Sequence, residues 1–179
     1  MVLRRVALVV LLALAAGCTA EPPPEAPAAP SFNGADITFA TALIPHHQQA
    51  VDLAALAVEK AAEGRVKALA QRIEDVREPQ IAELSALLEA WGQPAPEDPG
   101  LGHGKPGVLT DAKIDALRAA TGPAFDRGFA QAMAEHERDA GRLAGDQLAH
   151  GGDPRAKDVA SRLVQAQQAE LAELGAFSG

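Results

Sequence analysis

Residues Phe39–Ala54, FATALIPHHQQAVDLA, return ninety positions later as Phe129–Ala144, FAQAMAEHERDAGRLA. Phe39 answers Phe129, His46 answers His136, Ala50 answers Ala140, and Leu53-Ala54 answers Leu143-Ala144. The register runs on without a gap. Asp36 meets Asp126, Arg65 and Lys67 meet Arg155 and Lys157, Ala70 and Arg72 meet Ala160 and Arg162, and Glu83-Leu84 meets Glu173-Leu174. A chain written twice must fold into two similar units. Each unit here is long enough for one helix hairpin, and a lone hairpin cannot bury its apolar stripe. Packing one on the other predicts an all-α four-helix bundle with approximate two-fold symmetry.

Periodicity places the helices. Positions 39, 43, 46, 50, 53 and 57 alternate steps of four and three, one buried stripe of a helix from about Asp36 to Ala62, with Asn33 and Asp36 as caps. Pro45 lies inside it and is expected to bend it. A second helix is expected from about Arg65 to Trp91, with Val66, Leu69, Ile73, Val76, Leu84, Leu87 and Leu88 apolar. Pro79 should bend or interrupt it, and Gly92 followed by Pro94 should stop it. The Gly/Pro run 92–109 reads as a crossover connector leading to a short helix over Thr110–Ala120. A third long helix is expected over Pro123–Ala149, with stripe positions 129, 133, 136, 140 and 143. A fourth runs over Pro154–Ala176, with Val159, Leu163, Leu171 and Leu174 apolar. Tyr is absent and Ala and Leu abound, which favours helix over strand.

The ends of the chain speak to location. Arg4 and Arg5 precede an apolar stretch, Val6–Ala16, too short to span a bilayer, and Leu14-Ala15-Ala16-Gly17 leads into Cys18, the only cysteine. This resembles a bacterial lipoprotein signal, which implies removal of residues 1–17 and lipidation of Cys18; the protein would be secreted if Cys18 is not lipidated. Residues 18–34 hold five prolines and read as a tether reaching about 50 Å. The folded unit is then 35–179, with repeats at about 36–91 and 126–179. Without residues 1–17 the chain carries 14 basic against 24 acidic residues, so the formal charge goes from −8 to −10. An acidic chain of this kind is not expected to bind nucleic acid, and it is compatible with cations.

Symmetry sets His46 and His136 at equivalent core-facing positions, where the two imidazoles approach if their helices face each other. His47 lies about 100° round the helix, and adjacent histidines on a regular helix chelate one ion poorly. Its repeat partner is Glu137, a carboxylate in place of an imidazole, and Glu135 and Asp139 add oxygen nearby. A di-iron centre needs Glu-x-x-His on two helices; Leu43 and Met133 stand three residues before His46 and His136, which excludes it. Imidazole with carboxylate suits Cu(II) or Zn(II), and cuprous ion prefers sulfur, of which Met133 is the only thioether after residue 17. His150 at a helix end suits the helix dipole, and His103 sits in the connector; neither is expected to be a ligand. No nucleophile elbow, phosphate loop or dinucleotide fingerprint occurs, so no enzyme activity is expected.

The segment D-x-x-F-x-x-x-L-I-P-H-H-x-x-A-V-x-L-A at Asp36–Ala54 resembles the domain-of-unknown-function family 305. So does its echo F-D-x-x-F-x-x-x-M-x-x-H at Phe125–His136, and so does the E-P-Q-I-A-E-L run ending in Trp91-Gly92. The resemblance covers nearly all of residues 35–179. It implies a ferritin-like bundle, secreted or lipid-anchored, with copper binding through Met and His in some members. The family's second His-His pair is His136-Glu137 here, and its methionines around the pairs are Leu43, Leu53 and Leu143.

Two functions stand open at this point. In one, a lipid-anchored protein outside the cytoplasmic membrane buffers or sequesters copper or zinc through His46, His47, His136 and Glu137. In the other, the histidines are structural and the bundle is an envelope interaction module whose protein partner is unknown. A homo-oligomer is compatible with both.

Overall fold

The computed structural model describes residues 31–96 and 109–178. The lipoprotein signal, most of the tether and His103 lie outside the described residues. Five helices follow in order: α1 (Gly34–Lys60), α2 (Gly64–Ala90), α3 (Asp111–Ala119), α4 (Gly122–His150) and α5 (Pro154–Gly175). Each falls within about two residues of its expected span. The fold is all-α: the hairpins α1–α2 and α4–α5 pack through α1 and α4, α3 lies against α4, and α2 and α5 touch little.

Local chemistry sets the ends. Asn33 caps α1 and forms a capping box with Asp36. At the end of α2, Gly92 takes φ +66°, its N–H reaches the Glu89 carbonyl and that of Gln93 reaches Leu88. This is the left-handed cap that only glycine adopts without strain. Pro45 and Pro79 both sit inside continuous helices, so Pro79 does not interrupt α2.

The duplication is built as reciprocal contacts. The Asp36 carboxylate, in the first turn of α1, accepts from the Gly152 and Asp153 N–H groups in the turn after α4, and from Gln147. Its counterpart Asp126, near the start of α4, accepts from the Ala62 and Glu63 N–H groups in the turn after α1, at 2.9 and 3.0 Å. The start of each of these helices therefore meets the end of the other, and α1 and α4 run antiparallel. Arg72–Glu173 and Arg162–Glu83, both 2.6 Å, are mates across α2 and α5 in the same sense. The far end of the connector is clasped by the buried Gln49 amide, which bonds both the N–H and the carbonyl of Leu109.

The apolar core comes in two parts. One holds Leu53, Ala57, Val66, Leu69, Ile73, Ile114, Phe125, Phe129, Met133 and Leu174. The other holds Phe39, Leu43, Leu84, Leu88, Trp91, Val159 and Leu163. Each large side chain so buried contributes roughly 1.5–3 kcal/mol. Along every long helix the two parts are separated at the same level: by His46-His47 in α1, Arg77 to Gln80 in α2, His136-Glu137 in α4, and Gln167 to Glu170 in α5. A polar layer crosses the middle of the bundle. The expected stripe of α2 is corrected here. Val76 is 41% exposed, whereas Arg77, one position on, is 1% exposed. Arg77 continues the Ile73, Gln80, Leu84 spacing of four, three and four that faces the interior.

Candidate metal centre

α1 and α4 cross at their histidines. The His46 and His136 rings lie with centroids 3.6 Å apart and planes at 35°, each about 1% exposed. The expected approach of the two imidazoles is thus present. His47 is also buried, its ring 6.2 Å from that of His46 and edge-on to it, with planes at 65°.

Glu137 is buried beside them, and Arg77 holds it. Arg77 Nη2 donates to both Glu137 oxygens at 3.0 Å and to Glu170 Oε2 at 2.6 Å. Arg77 and Glu137 are each about 1% exposed, and Glu170 is 18% exposed. A buried charge persists when paired and hydrogen-bonded in this way. Gln167 donates to the Glu137 main-chain carbonyl. Its amide fills the space over Gly141, where an added Cβ would lie 2.2 Å from Gln167. Glu135 and Asp139, expected to lend oxygen to the histidines, are instead committed to ion pairs with Lys113 and Arg142. His150 is exposed in the last turn of α4, and its carbonyl accepts from Asn33.

The electrostatics disfavour the charged form of His47 and of His136. Burial, then the Arg77 charge, hold the His47 pKa well below the usual histidine value. At His136, burial comes first, then His46, then Arg77, in the same direction. Neither ring nitrogen of His47 or of His136 makes a hydrogen bond of normal geometry, and the Gln80 amide oxygen is also without one. Gln80 nonetheless lies near enough to His47 to favour its charged form weakly. Burial pushes the Glu137 carboxyl up, against the pull of Arg77 and with a further push from Glu170.

Buried imidazoles whose charged form is disfavoured and whose nitrogens lack a hydrogen bond of normal geometry, as at His47 and His136, are the donor chemistry of a copper or zinc site. The arrangement does not suit a high coordination number. Among the described residues no three His, Cys, Asp or Glu side chains group closely enough to hold a metal ion. With centroids only 3.6 Å apart and planes tilted at 35°, the His46 and His136 rings leave no room for an ion between them and would have to turn to share one. These residues fit an ion of low coordination number held by imidazole, with Met133 one turn before His136 on α4.

The match to the family model for the domain of unknown function DUF305 covers residues 36–178. The chain belongs to the DUF305 family. No functionally curated protein matches it in sequence. Among solved structures, a DUF305 protein of Streptomyces coelicolor, inferred to be secreted, is 28% identical with a TM-score of 0.71, over 78% of this chain and 88% of that one. A DUF305 fragment from Deinococcus radiodurans is 25% identical with a TM-score of 0.72, over 82% and 97%. CopM in its Cu(II)-bound form is 28% identical with a TM-score of 0.70, over 80% and 95%. CopM has also been solved with Cu(I), at 27% identity and a TM-score of 0.68, over 79% and 94%. None of these DUF305 relatives is described as an enzyme. No helix among the described residues is long and apolar enough to cross a membrane.

Sequence reasoning missed Arg77, Gln80 and Glu170. The signal was available: Arg77 and Gln80 stand at stripe spacing between Ile73 and Leu84, and their repeat partners are Gln167 and Glu170.

Proposed function

We propose that this DUF305 protein binds a copper-class metal ion, copper or zinc, at His46 and His136, and buffers or sequesters it outside the cytoplasmic membrane. His47 lies next in reach, and Glu137 assists only if its pair with Arg77 opens. The protein performs no chemistry on a substrate, and Cys18 carries the lipid that anchors it. The observation behind this reading is the pair of buried rings 3.6 Å apart at the crossing of α1 and α4. The likeness to CopM, solved with Cu(I), Cu(II) and Ag, supports it.

Isothermal titration with copper and with zinc tests the reading, using the chain from residue 18 with Cys18→Ser so that the thiol takes no metal. Binding at one ion per chain is expected, and it should be lost in the His46→Ala, His136→Ala double variant. Equal heats from the two proteins would end it. The direct, tilted ring contact at 3.6 Å favours one rival, in which the histidines are structural and the bundle is an envelope interaction module. That rival predicts a melting temperature indifferent to metal and a double variant that is simply less stable.

A further inference from the structure

α3 occupies one of two places that the duplication makes alike. It lies across the start of α4 and the end of α1, where Ile114 and Leu117 are buried with Leu53, Ala57, Phe125 and Phe129. A Cβ on Gly128 would lie 3.1 Å from Leu117 Cδ2, and Lys60 donates to the Arg118 carbonyl. In the other copy's register the same place becomes the start of α1 and the end of α4. No described helix covers it there. A groove of about 210 Å³ lies in its stead, with Ala35, Thr38, Leu143, Asp146, Gln147 and His150 in its walls. These are the register partners of Phe125, Gly128, Leu53, Leu56, Ala57 and Lys60.

The open groove differs from the filled place in ways that describe an occupant. Thr38 stands where Gly128 admits Leu117, and Ala35 stands where Phe125 fills space one turn away, so the room for a bulky side chain has moved by one turn. Exposed Asp146 replaces Leu56 and supplies negative charge at the rim. Gln147 replaces Ala57. It is 1% exposed, its amide nitrogen donates to Asp36, and its Oε1 has no hydrogen-bond partner among the described residues. A buried acceptor left in this state carries a penalty that an incoming N–H or O–H relieves. We propose that this groove is a docking site for a partner protein, which inserts a short amphipathic helix carrying a bulky apolar residue over Ala35, a basic side chain toward Asp146 and a donor for Gln147. The chain's own segments do not fit. Residues 21–29, in register with α3, have Pro24 and Pro27 at the Ile114 and Leu117 positions and would add two acids, Glu21 and Glu25, beside Asp146. Proline also has no N–H to give. The α3 of a second copy is already buried in its own place. No histidine of the polar layer lines the groove, so the inference goes beyond the metal-binding reading and does not rest on it.

α3 supplies the template for the test. The probe is a synthetic peptide of residues 110–121, capped at both ends. It carries Asp111→Lys and Asp115→Lys to make it basic, and Leu117→Ala and Ala120→Phe to move its bulk by one turn. It is titrated into the isotope-labelled chain from residue 18 carrying Cys18→Ser, and amide shifts are followed by NMR. Saturable shifts are expected at residues 34–39 and 143–150. In the protein, Ala35→Phe restores the ring that fills the other place and should weaken binding about tenfold, because a filled pocket rejects the anchor. Asp146→Lys, on the exposed surface, should weaken it about threefold, the scale of one exposed ion pair. Shifts at Ile114, Leu117 and Gly128 instead mean that the peptide displaces α3, and they overturn the proposal. So does an absence of saturable shifts at millimolar peptide, or equal affinity for the unaltered protein and Ala35→Phe. If Ala35→Phe does not fold, as judged by circular dichroism, unchanged affinity in Asp146→Lys overturns the proposal instead.

Discussion

The two copies of the repeat meet at the polar layer with opposite character. Where the first copy has His47, the second has Glu137; where the second has Gln167 and Glu170, the first has Arg77 and Gln80. One set, Arg77 with Glu137 and Glu170, is closed by three charge-assisted bonds. The equivalent positions hold His47, Gln80 and Gln167, none with a formal charge; His47 and Gln80 keep unused polar atoms, and Gln167 donates to the Glu137 main-chain carbonyl. Outside the layer the copies behave alike, as the Asp36 and Asp126 staples and the paired Arg72–Glu173 and Arg162–Glu83 contacts attest. The difference teaches that the symmetric contacts build the bundle, while the asymmetric layer is where a ligand-binding role can reside. A metal site needs nitrogen donors not already engaged, and His47 and His136 have ring nitrogens without a hydrogen bond of normal geometry.

The comparison breaks most sharply at Arg77. Arg77→Met leaves two carboxylates without their partner and should cost roughly 3–5 kcal/mol in urea unfolding. Gln167→Met, at the equivalent place, should cost about 1 kcal/mol, since it loses one neutral hydrogen bond. Similar losses would mean that the ion triad is not what distinguishes the halves.

Acid should separate them next. His47 and His136 have folded pKa values below the unfolded value near 6.5. The unfolded chain therefore takes up protons first, and stability falls as pH drops below about 6.5, by up to about 1.4 kcal/mol per proton per pH unit. Glu137 works in the reverse direction: its folded pKa is raised, so the stability it lends in acid is lost as pH climbs through that raised value. Unfolding followed from pH 7 to pH 5 should show a shallower acid loss in His47→Gln and a steeper one in Glu137→Gln. Parallel curves for the two variants would contradict the assignment of charge.

Smaller differences are expected in the staples. Asp36 accepts from Asn33, Gln147, Gly152 and Asp153, against two donors at Asp126. Asp36→Ala should cost about 2–3 kcal/mol and Asp126→Ala about 1–2 kcal/mol, since each orphaned donor near the interior carries a penalty. Least of all should come from Arg72→Ala and Arg162→Ala. Exposed pairs of this kind contribute about 0–1 kcal/mol each. The two losses should also be equal, which thermal unfolding would check.

Much of this was legible before any coordinates. The helix spans, the bundle and the meeting of His46 with His136 follow from a 3.6-residue period and an exact repeat register. Asn33 and Gly92 announced their caps through residue type alone. Val76 and Arg77 misled for a physical reason. An apolar residue beside a charged one is ordinarily the buried member, yet the helix phase set by Ile73 and Leu84 turns Arg77 inward, where two acids receive it. Glu135 and Asp139 misled because closeness in sequence to a histidine says nothing about which way a helical side chain points.

What the sequence determined by itself was everything carried within one helix or copied between the two halves, because periodicity and duplication are properties of a single strand of residues. What the tertiary structure decided was ownership of the buried carboxylates. Arg77 comes from α2, Glu137 from α4 and Glu170 from α5, and no spacing along the chain relates them. Only the packing of three helices at one level of the bundle brings the guanidinium to both acids beside the buried histidines.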